Sequence, residues 1–130
     1  MSYPGYGATL TNSPTAILAS GFGYIVINVT IKSGEGELVK GQLLGIETAT
    51  EKYVKYDDSE DDVTGDGSGI AKAILADAVD ATSSDQLVAA YIRGVFIVSR
   101  LTDYDANALA DLNGRLIGKE GGGSNDVLVI

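Results

Sequence analysis

The 130-residue chain has no cysteine, no histidine and no tryptophan. Those absences exclude disulfides, thiol nucleophiles, thiolate zinc sites, serine–histidine–aspartate triads and imidazole acid–base chemistry. Two prolines against seventeen glycines exclude a collagen or polyproline chain and assign the glycines to turns. Positive charge is also scarce: nine basic side chains face eighteen acidic ones, for a net charge of −9 at pH 7. A field of that sign repels phosphate backbones and anionic lipid, so neither nucleic acid nor a membrane is an expected partner. No apolar run approaches the roughly 20 residues of a transmembrane helix. The N-terminus lacks the Lys/Arg of a secretory leader, and the chain is read as made and kept without export.

What remains is ordinary globular material, 45% apolar and 21% charged, in one domain's length. Its charge is unevenly spread. Residues 1–31 carry none, residues 32–66 carry four lysines against ten carboxylates, and residues 67–130 carry five basic and eight acidic groups. Residues 1–22 are mostly Gly, Ser, Thr, Pro, Ala and Tyr, too poor in large aliphatics to offset their own ordering entropy. They are expected to form a flexible N-terminal arm before a single β-rich domain over 23–130. A solvated tail is usually charged, whereas a docking segment avoids charge. Tyr3 and Tyr6 are therefore taken as anchors, with Leu10, Ile17 and Leu18 as the arm's other apolar contacts.

From Tyr24 the pattern has period two. Ile25, Ile27, Val29 and Ile31 fall on one face of a strand of β-branched residues. Residues 33–37 are a turn, and 38–46 a second strand interrupted by Gly41 and Gly45. Residues 51–56 are a short third strand, and 57–69 a loop, acidic and then glycine-rich. Residues 70–81 are ambiguous, because five alanines favour helix while Ile70, Ile74 and Leu75 suit a buried strand. Residues 86–100 read as two strands around Gly94. A helix is expected from Thr102, which would cap it, with Asp103 and Asp105 near its positive end and Asn113-Gly114 as its stop. Residues 116–117 and 127–130 are closing strands. The predicted fold class is mainly β, a β-rich α+β chain: a small barrel- or sandwich-like domain with one short helix.

Chemistry has little to build on. Asp62, Thr64 and Asp66 with Gly67 occupy positions one, three, five and six of a calcium-loop pattern, but the bidentate glutamate required at position twelve is replaced by Ala73. The glycines at 65, 67 and 69 lack the Lys-Ser/Thr of a phosphate-binding loop and follow carboxylates that repel phosphate. No catalytic residue, metal site, cofactor or small-molecule substrate is assigned. The expectation is a protein that is not an enzyme.

One family's order of motifs is present. Residues 36–45, GELVKGQLLG, resemble the opening strand pair of the phage lambda-type head decoration proteins. Residues 52–56 (KYVKY), 66–75 (DGSGIAKAIL) and 77–81 (DAVDA) are similar to the family's next elements, as are the hairpin at 88–101 around Arg93-Gly94 and the helix–glycine–aliphatic stretch at 109–117. The resemblance covers about 36–117 and rests on co-linear order. The strand at 24–31 and the tail after Gly121 lie outside it.

The resemblance implies a capsid decoration, or cement, protein on the outer surface of an expanded tailed-phage head, made in the host cytoplasm. It implies a homotrimer at three-fold and quasi-three-fold positions whose partner is the major capsid protein, reinforcing the shell against internal DNA pressure. It also makes 70–81 strand-like in part. Two alternatives stay open: a calcium-dependent or carboxylate-based binding module or small enzyme using Asp62 and Asp66, and a virion-surface adhesin domain.

Overall fold

The strand expected at 24–31 forms as β1 (Ile25–Ile31). A computed structural model describes residues 17–18, 23–59, 65–119 and 126–130. Along the chain follow β2 (Gly36–Leu38), β3 (Leu43–Ile46), β4 (Tyr53–Lys55), β5 (Ala73–Leu75), β6 (Val79–Ala81), β7 (Gln86–Arg93) and β8 (Val95–Ile97). A 3₁₀ turn (Val98–Arg100), helix α1 (Ala106–Asp111), β9 (Arg115–Lys119) and β10 (Asp126–Val129) complete it. The ambiguous stretch 70–81 is extended: β5 and β6 take its apolar centres, because Ile74 and Leu75 each gain a buried environment that a local helix would not supply.

Five strands close a barrel in the order β1–β4–β3–β5–β7, with β1 parallel to β4 and antiparallel to β7. The period-two alternation sorts side chains into two cores. Val29, Ile31, Leu44, Leu75 and Ala90 share the first, with Leu38 of β2 and Ala81 of β6. Leu43 and Ile74, one residue out of step with Leu44 and Leu75, belong to the second. There they meet Phe96 of β8, Leu128 of β10, Ala108 of α1 and Tyr56. The small sheet β8–β10–β9 thus covers part of the barrel's outside. Each fully buried aliphatic side chain contributes about 1.5–3 kcal/mol.

The interruption between β2 and β3 is a tight turn at Gly41, whose φ is +96°. A Cβ there would stand 2.7 Å from the Arg100 carbonyl oxygen, so only glycine fits. The Gly41 carbonyl accepts the Thr102 N–H at 2.9 Å, and the Leu43 N–H donates to the Thr102 carbonyl at 3.1 Å. Thr102 is therefore tied to the start of β3 and does not cap the helix. The cap is Asp105, three residues later, whose side chain accepts the Ala108 N–H at 2.8 Å. Asp103, with φ +67°, breaks the backbone between the two. The expected stop holds: the Gly114 and Asn113 N–H groups donate to the Leu109 and Ala110 carbonyls at 2.8 and 3.1 Å, with Asn113 left-handed at φ +53°.

Candidate functional site

Three places are candidates for function: the segment at Ile17 and Leu18, the outer end of β1, and the carboxylate-lined cleft. Of the five residues expected in a docking arm, Tyr3, Tyr6 and Leu10 lie outside the described residues. Ile17 and Leu18 are placed with the domain. Ile17 is 3% exposed and packs in the outer core, and its carbonyl accepts the Ile97 N–H at 2.8 Å. Leu18 is bridged to Phe96 and packs against the same cluster. The Ile17 side chain is spent on the core, so any arm is rooted beside β8. The glycine-poor, aliphatic run Ala16-Ile17-Leu18 is the signal that distinguishes these positions from the residues before them.

The second surface was not foreseen. Ile25, Ile27, Val29 and Ile31 alternate along β1 as expected, yet only Val29 and Ile31 of the four are buried. Tyr24, Ile25, Val26 and Ile27 are all exposed, as is Leu87 of β7. The reason is topological. β1 pairs with β7 along its whole length but meets β4 at Ile31 alone. The barrel therefore closes over one end of the strand only. Tyr24 stands edge-on to Tyr91 at 5.3 Å between ring centroids, and Tyr91 in turn to Phe96 at 5.5 Å, so the exposed end is braced from the outer core.

The third surface is a cleft of about 660 Å³ with Glu35, Glu47, Asp57, Asp66, Asp103 and Asp105 in its lining. Each of these carboxylates already holds part of the fold. Asp66 accepts the Ser68 N–H and hydroxyl at 2.8 and 2.6 Å, and Asp57 accepts those of Ser59 at 3.0 and 2.6 Å. Glu35 accepts the Lys55 N–H at 2.7 Å, and Asp103 accepts Gln42 Nε2 at 2.7 Å. Glu47 pairs with Lys32 at 2.6 Å. The Ser68 bonds hold Asp66 below the usual carboxylate range, the Ser59 bonds do so for Asp57, and the Lys32 bond does so for Glu47. A general acid needs the opposite shift. The Tyr56 hydroxyl lies between Asp105 at 2.8 Å and Asp58 at 3.1 Å. Burial first, and these two carboxylates next, push its pKa well above that of a free tyrosine, so it stays a hydrogen-bond donor. Among the described residues no group of three acidic side chains is arranged to hold a metal ion. Asp62 lies outside the described residues.

The model of the bacteriophage lambda head decoration protein D family matches residues 11–117. The chain belongs to that family. Head decoration proteins are structural capsid components, which places this chain with the phage head. The match reaches further towards the N-terminus than the motifs at 36–117, taking in Ile17, Leu18 and all of β1. It ends before β10, the strand that completes the β8–β10–β9 sheet. No curated protein matches the chain.

Proposed function

We propose that this head decoration protein binds the outer surface of an expanded phage head as a homotrimer at three-fold and quasi-three-fold positions. It acts there as cement, holding neighbouring capsid subunits against the pressure of packaged DNA. The observation that carries this reading is the family match over residues 11–117, which includes the barrel and α1. The net charge of −9 agrees with a site away from DNA, since such a field disfavours contact with phosphate. The reading has no place for catalysis, a cofactor or a membrane.

The contact with the major capsid protein is assigned to the uncharged arm through Tyr3, Tyr6 and Leu10. Ile17 and Leu18 fasten the root of that arm to the domain. An extended arm docks by adding backbone hydrogen bonds to a partner's sheet edge while alternate side chains fill pockets. Ordering it costs roughly 2–5 kcal/mol, and three arms on one trimer offset that cost through avidity.

The test is co-sedimentation with expanded, undecorated heads. The expected result is saturable binding at one trimer per three-fold position, with decorated heads surviving a heat or chelator challenge that opens bare ones. A chain that stays in the supernatant at saturating concentration contradicts the reading.

A further inference from the structure

We propose that the outer end of the β1–β7 ribbon is the surface through which copies of this chain associate; this rests on the homotrimer reading above. The ribbon is the place where exposed apolar residues concentrate. Tyr24, Ile25, Val26 and Ile27 are 46%, 49%, 42% and 38% exposed in succession, and Leu87 is 70% exposed opposite Thr30. Soluble monomers rarely leave such contiguous apolar surface uncovered. The backbone of residues 25–29 also has, among the described residues, a strand partner on its β7 side only. An apolar strand with an open edge invites pairing and is ordinarily covered.

Charge identifies the occupant as a second copy. Each chain carries −9, so copies repel wherever their carboxylates approach within a Debye length of about 8 Å. A self-contact must therefore use surface without carboxylates. The ribbon meets that condition: residues 23–31 and 86–93 contain one charged side chain, Arg93, and no acid. The opposite choice, the cleft lined by Glu35, Glu47, Asp57 and Asp66, would bring acids of two copies together. A closed ring of heterologous contacts then buries each ribbon against its neighbour and removes the open edges together.

The test compares three single variants of the full chain by sedimentation equilibrium. Val26→Glu and Leu87→Glu place a carboxylate on exposed ribbon positions, and Val39→Glu places one at a 55% exposed position off the ribbon. Two ribbon variants guard against one misfolding, and each is checked by cooperative melting. The wild-type and Val39→Glu proteins are expected to sediment at about three times the 13.4 kDa chain mass. The ribbon variants are expected to fall to one chain mass, with association weakened at least about a hundredfold by the buried, unpaired carboxylate. Ribbon variants that fold and remain trimeric overturn this assignment and leave the trimer reading intact. A wild-type monomer that still decorates heads overturns the assignment and the preassembled trimer but not decoration. If that monomer loses head binding on Val26→Glu, the ribbon faces the shell instead.

Discussion

Ile27 and Ile31 are the same residue type on the same strand with the same side-chain parity, yet one is 38% exposed and the other fully buried. Val26 and Thr30 on the opposite parity show no such reversal. The difference lies in what flanks β1. At Ile31 the strand pairs with Tyr53 of β4 and the barrel closes, whereas at Ile27 its paired neighbour is Ala90 of β7. A period-two pattern therefore reports which face a residue occupies, and closure by a third strand reports whether that face is core. The first is local information, and the second depends on a residue 22 positions away.

The contrast breaks most visibly at the core end. Ile31→Ala should lower unfolding free energy by about 2–5 kcal/mol, because it removes buried methylenes inside a closed barrel. Urea denaturation measures it, and a loss below about 1 kcal/mol would mean the barrel is not closed at β4. At the other end, Ile27→Thr at low protein concentration should change stability by no more than about 0.5 kcal/mol, since an exposed position loses little transfer energy. If both variants lose the same amount, the two ends of β1 are not different environments.

Much of this was legible in the residues. The alternation in β1, the two strands on either side of Gly94 and the Asn113-Gly114 stop are local patterns that appear where expected, but those two strands join different sheets instead of pairing as a hairpin. The helix start was misplaced because Thr102 and Asp105 are both competent caps. The choice between them is made by Gly41 and Leu43, whose backbone groups claim Thr102 from across the fold. The role of Ile17 was hidden for a similar reason. Its burial depends on Phe96 and Ile97, some eighty residues later, and its neighbours in sequence resemble an unanchored tail. Asp57 and Asp66 read only as part of an acidic loop, and nothing in their spacing disclosed that they bind the backbone and hydroxyl groups of Ser59 and Ser68.

A second comparison sets this carboxylate surface against the acid-free ribbon. Tyr56→Phe should cost about 1–3 kcal/mol by chemical denaturation, because it removes the hydroxyl that donates to Asp105 and Asp58 while Asp105 keeps its cap to Ala108. The pH dependence should be smaller and confined to the acid limb. Glu47, Asp57, Asp66, Asp80 and Asp85 all have folded-state pKa values held below their ordinary range by hydrogen bonds to Lys32, Ser59, Ser68, Thr82 and Lys52 respectively. The unfolded chain binds their protons first as pH falls. Their contribution is thus complete above the ordinary carboxylate range near pH 4 and is lost on acidification through the depressed values. All of these groups but Glu47 are exposed, so the melting temperature should be flat from about pH 5 to pH 8 and decline gently below about pH 4. A melting temperature that instead rises on acidification would show that repulsion within the cleft outweighs these bonds.

The account stands or falls on the grip of the chain's first residues on the shell. The most direct measurement is the affinity for expanded, undecorated heads of a chain lacking residues 2–16, a deletion that spares Ile17 and Leu18 in the core. The truncated protein should keep its far-UV dichroism and cooperative melting and bind at least about a hundredfold more weakly than the full chain. Equal binding by the two proteins would contradict the account and move the shell contact onto the folded domain.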